Sequence, residues 1–179
     1  MRKLLFAFQF LPIAAFLAVA RYKGSTPDAW VAGFQVGAVL AVVESVVLAL
    51  NHVPWNRLLL GANLYLVVGG FGCTFGIEPI IRFVSQWRES AVFLSLIVVG
   101  IVTTLFTPGG FIEAPHAERS AVVKNSALLL AAVCVCLALS IFFRGDPWLA
   151  GTIPFVLLVA IRRWRLNKLE PIKSELNSN

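Results

Sequence analysis

The feature that most constrains this chain is its division into six long blocks that carry no charge apart from one glutamate. The blocks are residues 4–20, 29–50, 58–77, 91–107, 126–143 and 147–161, and the exception is Glu44. A water-soluble domain needs about a quarter of its residues charged to cover its surface, whereas here 13% are charged and 59% are apolar. The composition therefore excludes a soluble domain and points to a membrane protein. About 20 apolar residues cross a ~30 Å hydrocarbon core as a helix, so the second and third blocks suffice unaided. The last block is shorter, but Arg162, Arg163 and Arg165 follow it directly. Their aliphatic stems can bury while the guanidinium groups reach the headgroups.

A membrane β-barrel would alternate apolar and polar residues over segments of about ten. The blocks are instead continuous runs such as AVFLSLIVVGIVTTLF. Every backbone amide in lipid must be bonded within its own segment, so these runs form helices. The expected fold is an all-α six-helix transmembrane bundle over residues 1–165, with a polar tail at 166–179. It would have five spans if the first block fails to cross. Arg2, Lys3 and the Ala18, Val19, Ala20 string also fit a cleaved signal peptide. A retained span is preferred, because the run is longer than a usual signal core and leads straight into another membrane segment.

Basic residues set the orientation. With six spans, one side holds ten of the fifteen Lys and Arg and the other holds five; with five spans the split is eight to seven. The positive-inside rule thus favours six spans with both termini cytoplasmic. The same bias accounts for the net charge of +6, so nucleic acid is not an expected partner. All five tryptophans (Trp30, Trp55, Trp87, Trp148, Trp164) lie at block edges, where an indole prefers the interface.

Small residues mark packing faces. Gly33, Gly37, Ala41 and Ser45 repeat every four residues, stacking into one stripe that lets another helix approach. Gly72 and Gly76 form a GxxxG pair in the third block. Contact within one bundle is the expected use of both, and a homo-oligomer interface the alternative. Between blocks three and four, Ile80, Phe83, Val84 and Trp87 share a face opposite Glu78, Arg82, Ser85, Gln86 and Glu89. Pro79 suits the first turn, so a short interfacial amphipathic helix is expected there. The 108–125 loop opens with Pro108, Gly109 and Gly110, which stop the fourth helix; it is the longest loop and a plausible contact surface.

A carboxylate in hydrocarbon costs roughly 2.5–3.5 kcal/mol, so Glu44 needs compensation. Counting from the cytoplasmic ends places Glu44, Asn63, Tyr65 and Gln9 in one layer about 7–11 Å deep. They are expected to form an inner-leaflet polar cluster in which Asn63, Tyr65 or Gln9 hydrogen-bonds a neutral Glu44 carboxyl. Either this carboxyl is structural, or it is a proton or cation site. Cys134 and Cys136 diverge by about 200° on a helix and Cys73 is on another block, so no shared metal is expected. His52 and His116 have no ligand spacing, and no phosphate loop or nucleophile elbow is present. No cofactor or catalytic residue is predicted, and the chain does not read as an enzyme.

Two strings carry a family resemblance. FQFLPIAAFLAVARYKG at residues 8–24 and WRESAVF at 87–93 resemble the opening and a later helix start of the intracellular septation protein A family, the YciB-like inner-membrane proteins. Gln9 and Glu89 depart from that pattern, where an acidic residue and a proline are common. The resemblance implies a multi-pass bacterial inner-membrane protein of septation and cell-envelope maintenance, acting through lateral contacts with envelope-synthesis or cell-division proteins. The alternative expectation is a small proton- or cation-linked transporter centred on Glu44.

Overall fold

A computed structural model describes residues 8–22, 26–146 and 148–169. Seven α-helices account for most of them: α1 (Leu11–Tyr22), α2 (Pro27–Leu50), α3 (Arg57–Phe75), α4 (Glu78–Trp87), α5 (Ser90–Phe106), α6 (Arg119–Phe142) and α7 (Ile153–Leu169). No strand occurs among the described residues. A five-residue π-helical turn, Trp148–Thr152, leads into α7.

Local chemistry sets the boundaries. Thr26 caps α2 by accepting from the Ala29 amide at 3.2 Å, with Pro27 and Asp28 completing a favourable first turn. Asn56 caps α3 through the Leu58 amide at 3.2 Å. At the far end Gly76 adopts φ +64, the left-handed conformation that glycine takes without strain. Gly76 therefore terminates the helix, and an added Cβ there would meet nothing within 4 Å; it is not the packing partner of Gly72 that the GxxxG spacing suggests. The α5 C-terminus is closed by Arg119, whose guanidinium donates to the carbonyls of Thr104 at 2.6 Å and Thr107 at 2.7 Å.

Helices α2, α3 and α6 are long and apolar enough to cross a membrane, and α4 with α5 would make a fourth span bent by 108°. The other helices are shorter. The described part of α1 has 12 residues and α5 has 17. Helix α7 has 17, but its second half holds Arg162, Arg163, Arg165 and Lys168. It continues past residue 165, so the start of the expected tail is helical, and residues 170–179 lie outside the described residues.

Helix α3 is the hub. Gly69 and Gly70 admit Phe34 and the Ala38 methyl of α2, Gly61 admits the Leu96 backbone of α5, and Gly72 admits Ile80 of α4. On the other side of α2, Gly33 and Gly37 receive Phe16 of α1, and Gly37 also meets Leu66 of α3. Ala41 in the same stripe is fully buried, and the Ser45 hydroxyl bonds back to the Ala41 carbonyl at 2.7 Å. The core runs through Phe34, Leu66, Phe93, Leu96, Phe111 and Leu129. Among the described residues the packing order is α1, α2, α3, α5, α6, α7, an arc around α3 rather than a closed ring. Val39, Val42, Val43 and Val46 of α2 and Val98, Ile101, Val102 and Leu105 of α5 remain exposed. Apolar surface of this extent suits lipid or a membrane partner.

Two expected surfaces differ in detail. On α4 the bundle side includes Ile80, Val84 and Trp87 as read from the spacing, but Phe83 is exposed and Ile81 takes part of its place. The 108–118 segment is a folded plug rather than an open contact loop: Phe111 and Ile112 are fully buried, and the Ile112 amide donates to the Ser126 hydroxyl at 3.2 Å. An apolar pair in a loop beside helix ends gains more by covering them than by facing water.

Candidate functional site

Glu44 lies on the face of α2 that also carries Gly37, Ala41 and Leu48, turned toward α3 and 2% exposed. Asn63 of α3 donates from Nδ2 to Glu44 Oε2 at 3.1 Å. One carboxylate thus ties two closely packed helices, and it lies on the same helix pair as the Gly70–Ala38 approach. A hydrogen bond to a charged or strongly polar buried group is worth more than an exposed one, and losing it leaves the acceptor to bear its desolvation.

Gln9 is buried beside this pair but bonds elsewhere. Its amide donates from Nε2 to the Pro54 carbonyl at 3.3 Å and accepts from the Asn56 amide at 3.1 Å. It therefore holds the 51–56 connection against the start of α1, while Asn56 in turn caps α3. Gln9, Glu44, Asn56 and Asn63 line one void of ≈ 10 Å³, the threshold for holding a single water.

Tyr65 does not join them. Its hydroxyl donates to the Arg88 carbonyl at 3.2 Å, and its ring meets Phe34 edge-on at 5.2 Å. Counting residues gives depth but not rotation about the helix: Asn63 and Tyr65 are two apart and face about 200° away from each other. The Thr103 and Thr104 hydroxyls also turn inward to their own helix, on Val99 and Gly100. The cluster expected from four residues is thus one bonded pair, with Gln9 as a neighbour.

The cysteines are dispersed: Cys73 is half-buried, Cys134 exposed and Cys136 buried. Among the described residues no three His, Cys, Asp or Glu side chains approach closely enough to hold a metal.

Sequence reasoning missed a second polar centre. Glu113, in the plug, pairs with Arg162 of α7. It also accepts from the Arg57 main-chain amide, and both guanidinium groups act on it. The side chains of Arg162 and Glu113 are 8% and 13% exposed. Burial pushes the Glu113 carboxyl above its ordinary value, while Arg162 and then Arg57 pull it back. Arg57 Nη1 and Arg162 Nε are buried without a hydrogen-bond partner. Glu113 itself holds φ +69, a conformation costly for a non-glycine residue. The pair is 49 positions apart in sequence, beyond any local pattern.

No family model, curated protein or solved structure matches the chain.

What the arrangement can do follows from its closure. Glu44 and Glu113 are both engaged by neighbouring groups, and the void at Glu44 admits no more than a water. Each joins separate elements: α2 with α3 at Glu44, and α3, the plug and α7 at Glu113. Both contacts link separate parts of the helical bundle.

Proposed function

We propose that this chain is a multi-pass bacterial inner-membrane protein of septation and envelope maintenance. It acts by lateral contact with envelope-synthesis or division proteins rather than by catalysis. The six-span topology with both termini cytoplasmic belongs to this proposal and rests on the distribution of Lys and Arg. The observation that carries the reading is the commitment of Glu44 to Asn63 beside a void of ≈ 10 Å³. A carboxylate used in this way fastens helices and does not line a path for ions, which leaves the exposed apolar faces of α2 and α5 as the working surfaces. The partners' class is taken from the resemblance of residues 8–24 and 87–93 to septation proteins.

Photo-crosslinkers placed at Val42 and Val102 in native membranes test this. Adducts to envelope-synthesis or division proteins are the expected result, and adducts to a second copy would identify a homo-oligomer. Crosslinking to lipid alone, together with proton or cation flux in proteoliposomes that Glu44→Gln abolishes, would replace the proposal with a transporter centred on Glu44.

A further inference from the structure

Among the described residues the helical arc leaves a gap between its two ends, α1 and α7, and this gap is a cavity of ≈ 310 Å³. Its walls are Phe10, just before α1, Ile13 and Leu17 of α1, and Phe155, Val156 and Val159 of α7, and its floor includes Leu66 and Val92. Along α1 it extends from Arg21 to Phe10, about 16 Å at helical rise. That is about half the ~30 Å hydrocarbon thickness, the depth of one leaflet. The volume is at the lower end of the ~300–1,000 Å³ range of ligand sites.

Two charged groups mark one end of this apolar slot. Glu89 lines it with a side chain that is 7% exposed, and its Oε1 has no hydrogen-bond partner. Its other oxygen is 3.9 Å from Arg88 Nε, at the limit of an ion pair. The carboxylate can turn about Cγ–Cδ, a broad torsion, to present the unpaired oxygen. Arg21, exposed at the rim, is stacked 4.5 Å over the Trp148 ring. An apolar slot one leaflet deep, with a hydrogen-bond acceptor inside its mouth and a guanidinium at the rim, matches a zwitterionic amphiphile.

We propose that this cavity binds one acyl chain of a phospholipid with a primary-ammonium headgroup, the ammonium on Glu89 and the phosphate on Arg21. The lipid closes the arc between α1 and α7. Such a site goes beyond lateral contact with proteins and does not depend on which side of the membrane is cytoplasmic.

The test is lipid retention by the detergent-purified full chain, measured by native mass spectrometry after exchange with phosphatidylethanolamine, phosphatidylcholine or phosphatidylglycerol of identical chains. Choline lacks the N–H donors, so the expected result is at least a tenfold preference for the ethanolamine lipid over the choline lipid. Glu89→Gln should erase that preference, and Val159→Phe, which fills the slot, should lower retention of all three. Quenching of tryptophan fluorescence by a chain-brominated phosphatidylethanolamine should reach Trp30 in the unaltered protein, which keeps the test valid if the filled variant fails to fold. Equal retention of ethanolamine and choline lipids, preference for the glycerol lipid, or retention insensitive to Glu89→Gln would overturn the proposal and indicate annular lipid alone.

Discussion

Gly70→Ala adds one methyl at a close approach between α2 and α3, and the neighbours cannot step aside. The new Cβ would lie 2.4 Å from the Ala38 Cβ and 2.7 Å from the Phe34 carbonyl oxygen. One of these atoms is backbone and the other is fixed to it, so no rotamer change relieves the clash. Ordinary contact begins near 3.4 Å, so α2 and α3 must part by about 1 Å, enough to forfeit a quarter to a half of each atomic contact across the seam. The same movement would stretch the 3.1 Å Asn63–Glu44 bond beyond useful geometry. Alanine's better helix propensity returns about 0.8–1 kcal/mol, against overpacking of about 1–3 kcal/mol and a lost buried hydrogen bond of about 1 kcal/mol. The net expectation is destabilisation by about 2 kcal/mol, a fall of roughly 4–8 °C for a chain of this size. Thermal unfolding in mild detergent, followed by near-ultraviolet circular dichroism, measures it. Gly151→Ala, whose Cβ would meet nothing closer than 3.6 Å, serves as the control. A Gly70→Ala protein that unfolds at or above the parental temperature would refute the reasoning, because α2 and α3 could not then be in such close contact.

Three further outcomes are expected. Asn63→Ala removes the donor to Glu44 and should destabilise by about 1–3 kcal/mol; adding Glu44→Leu should recover part of the loss, read from a double-mutant cycle in the same unfolding assay. Glu113→Ala leaves Arg162 and Arg57 facing each other in a buried site and should cost about 3–5 kcal/mol, with increased proteolysis of the 108–118 plug as a second readout. Reporter fusions after Lys23 and after Arg57 should show opposite sides, periplasmic and cytoplasmic respectively; cytoplasmic activity after Lys23 would remove the six-span topology.

Helical character and membrane residence were legible because continuous apolar blocks admit one backbone solution in lipid. The α4 helix was also visible, since Pro79 and the Ile80, Val84, Trp87 spacing act within a few residues. Depth counting placed Glu44 and Asn63 in one layer. It misplaced Tyr65 because depth says nothing about rotation, and its long side chain reaches a separate element. Gly76 read only as half of a GxxxG pair; the signal that it ends the helix lies in the Ile-Glu-Pro start of α4 that follows it. The Glu113–Arg162 pair was invisible, since nothing local ties residues so far apart. Only the apolar Phe111–Ile112 step hinted that the segment around Glu113 folds inward. Glu89 read as part of a solvent-facing helix surface, whereas the sharp bend after Arg88 carries it beneath the surface.

The Glu113 centre also bears on the order in which the chain is made. Arg57 and Glu113 leave the ribosome well before Arg162, so the plug can meet α3 early but acquires its guanidinium partner only when α7 is in place. A chain ending before Arg162 would retain all of α2 to α6 and still lack this closing contact. The ion pair with Arg162 is therefore the last contact the plug can make, and it couples the 108–118 segment to the arrival of α7.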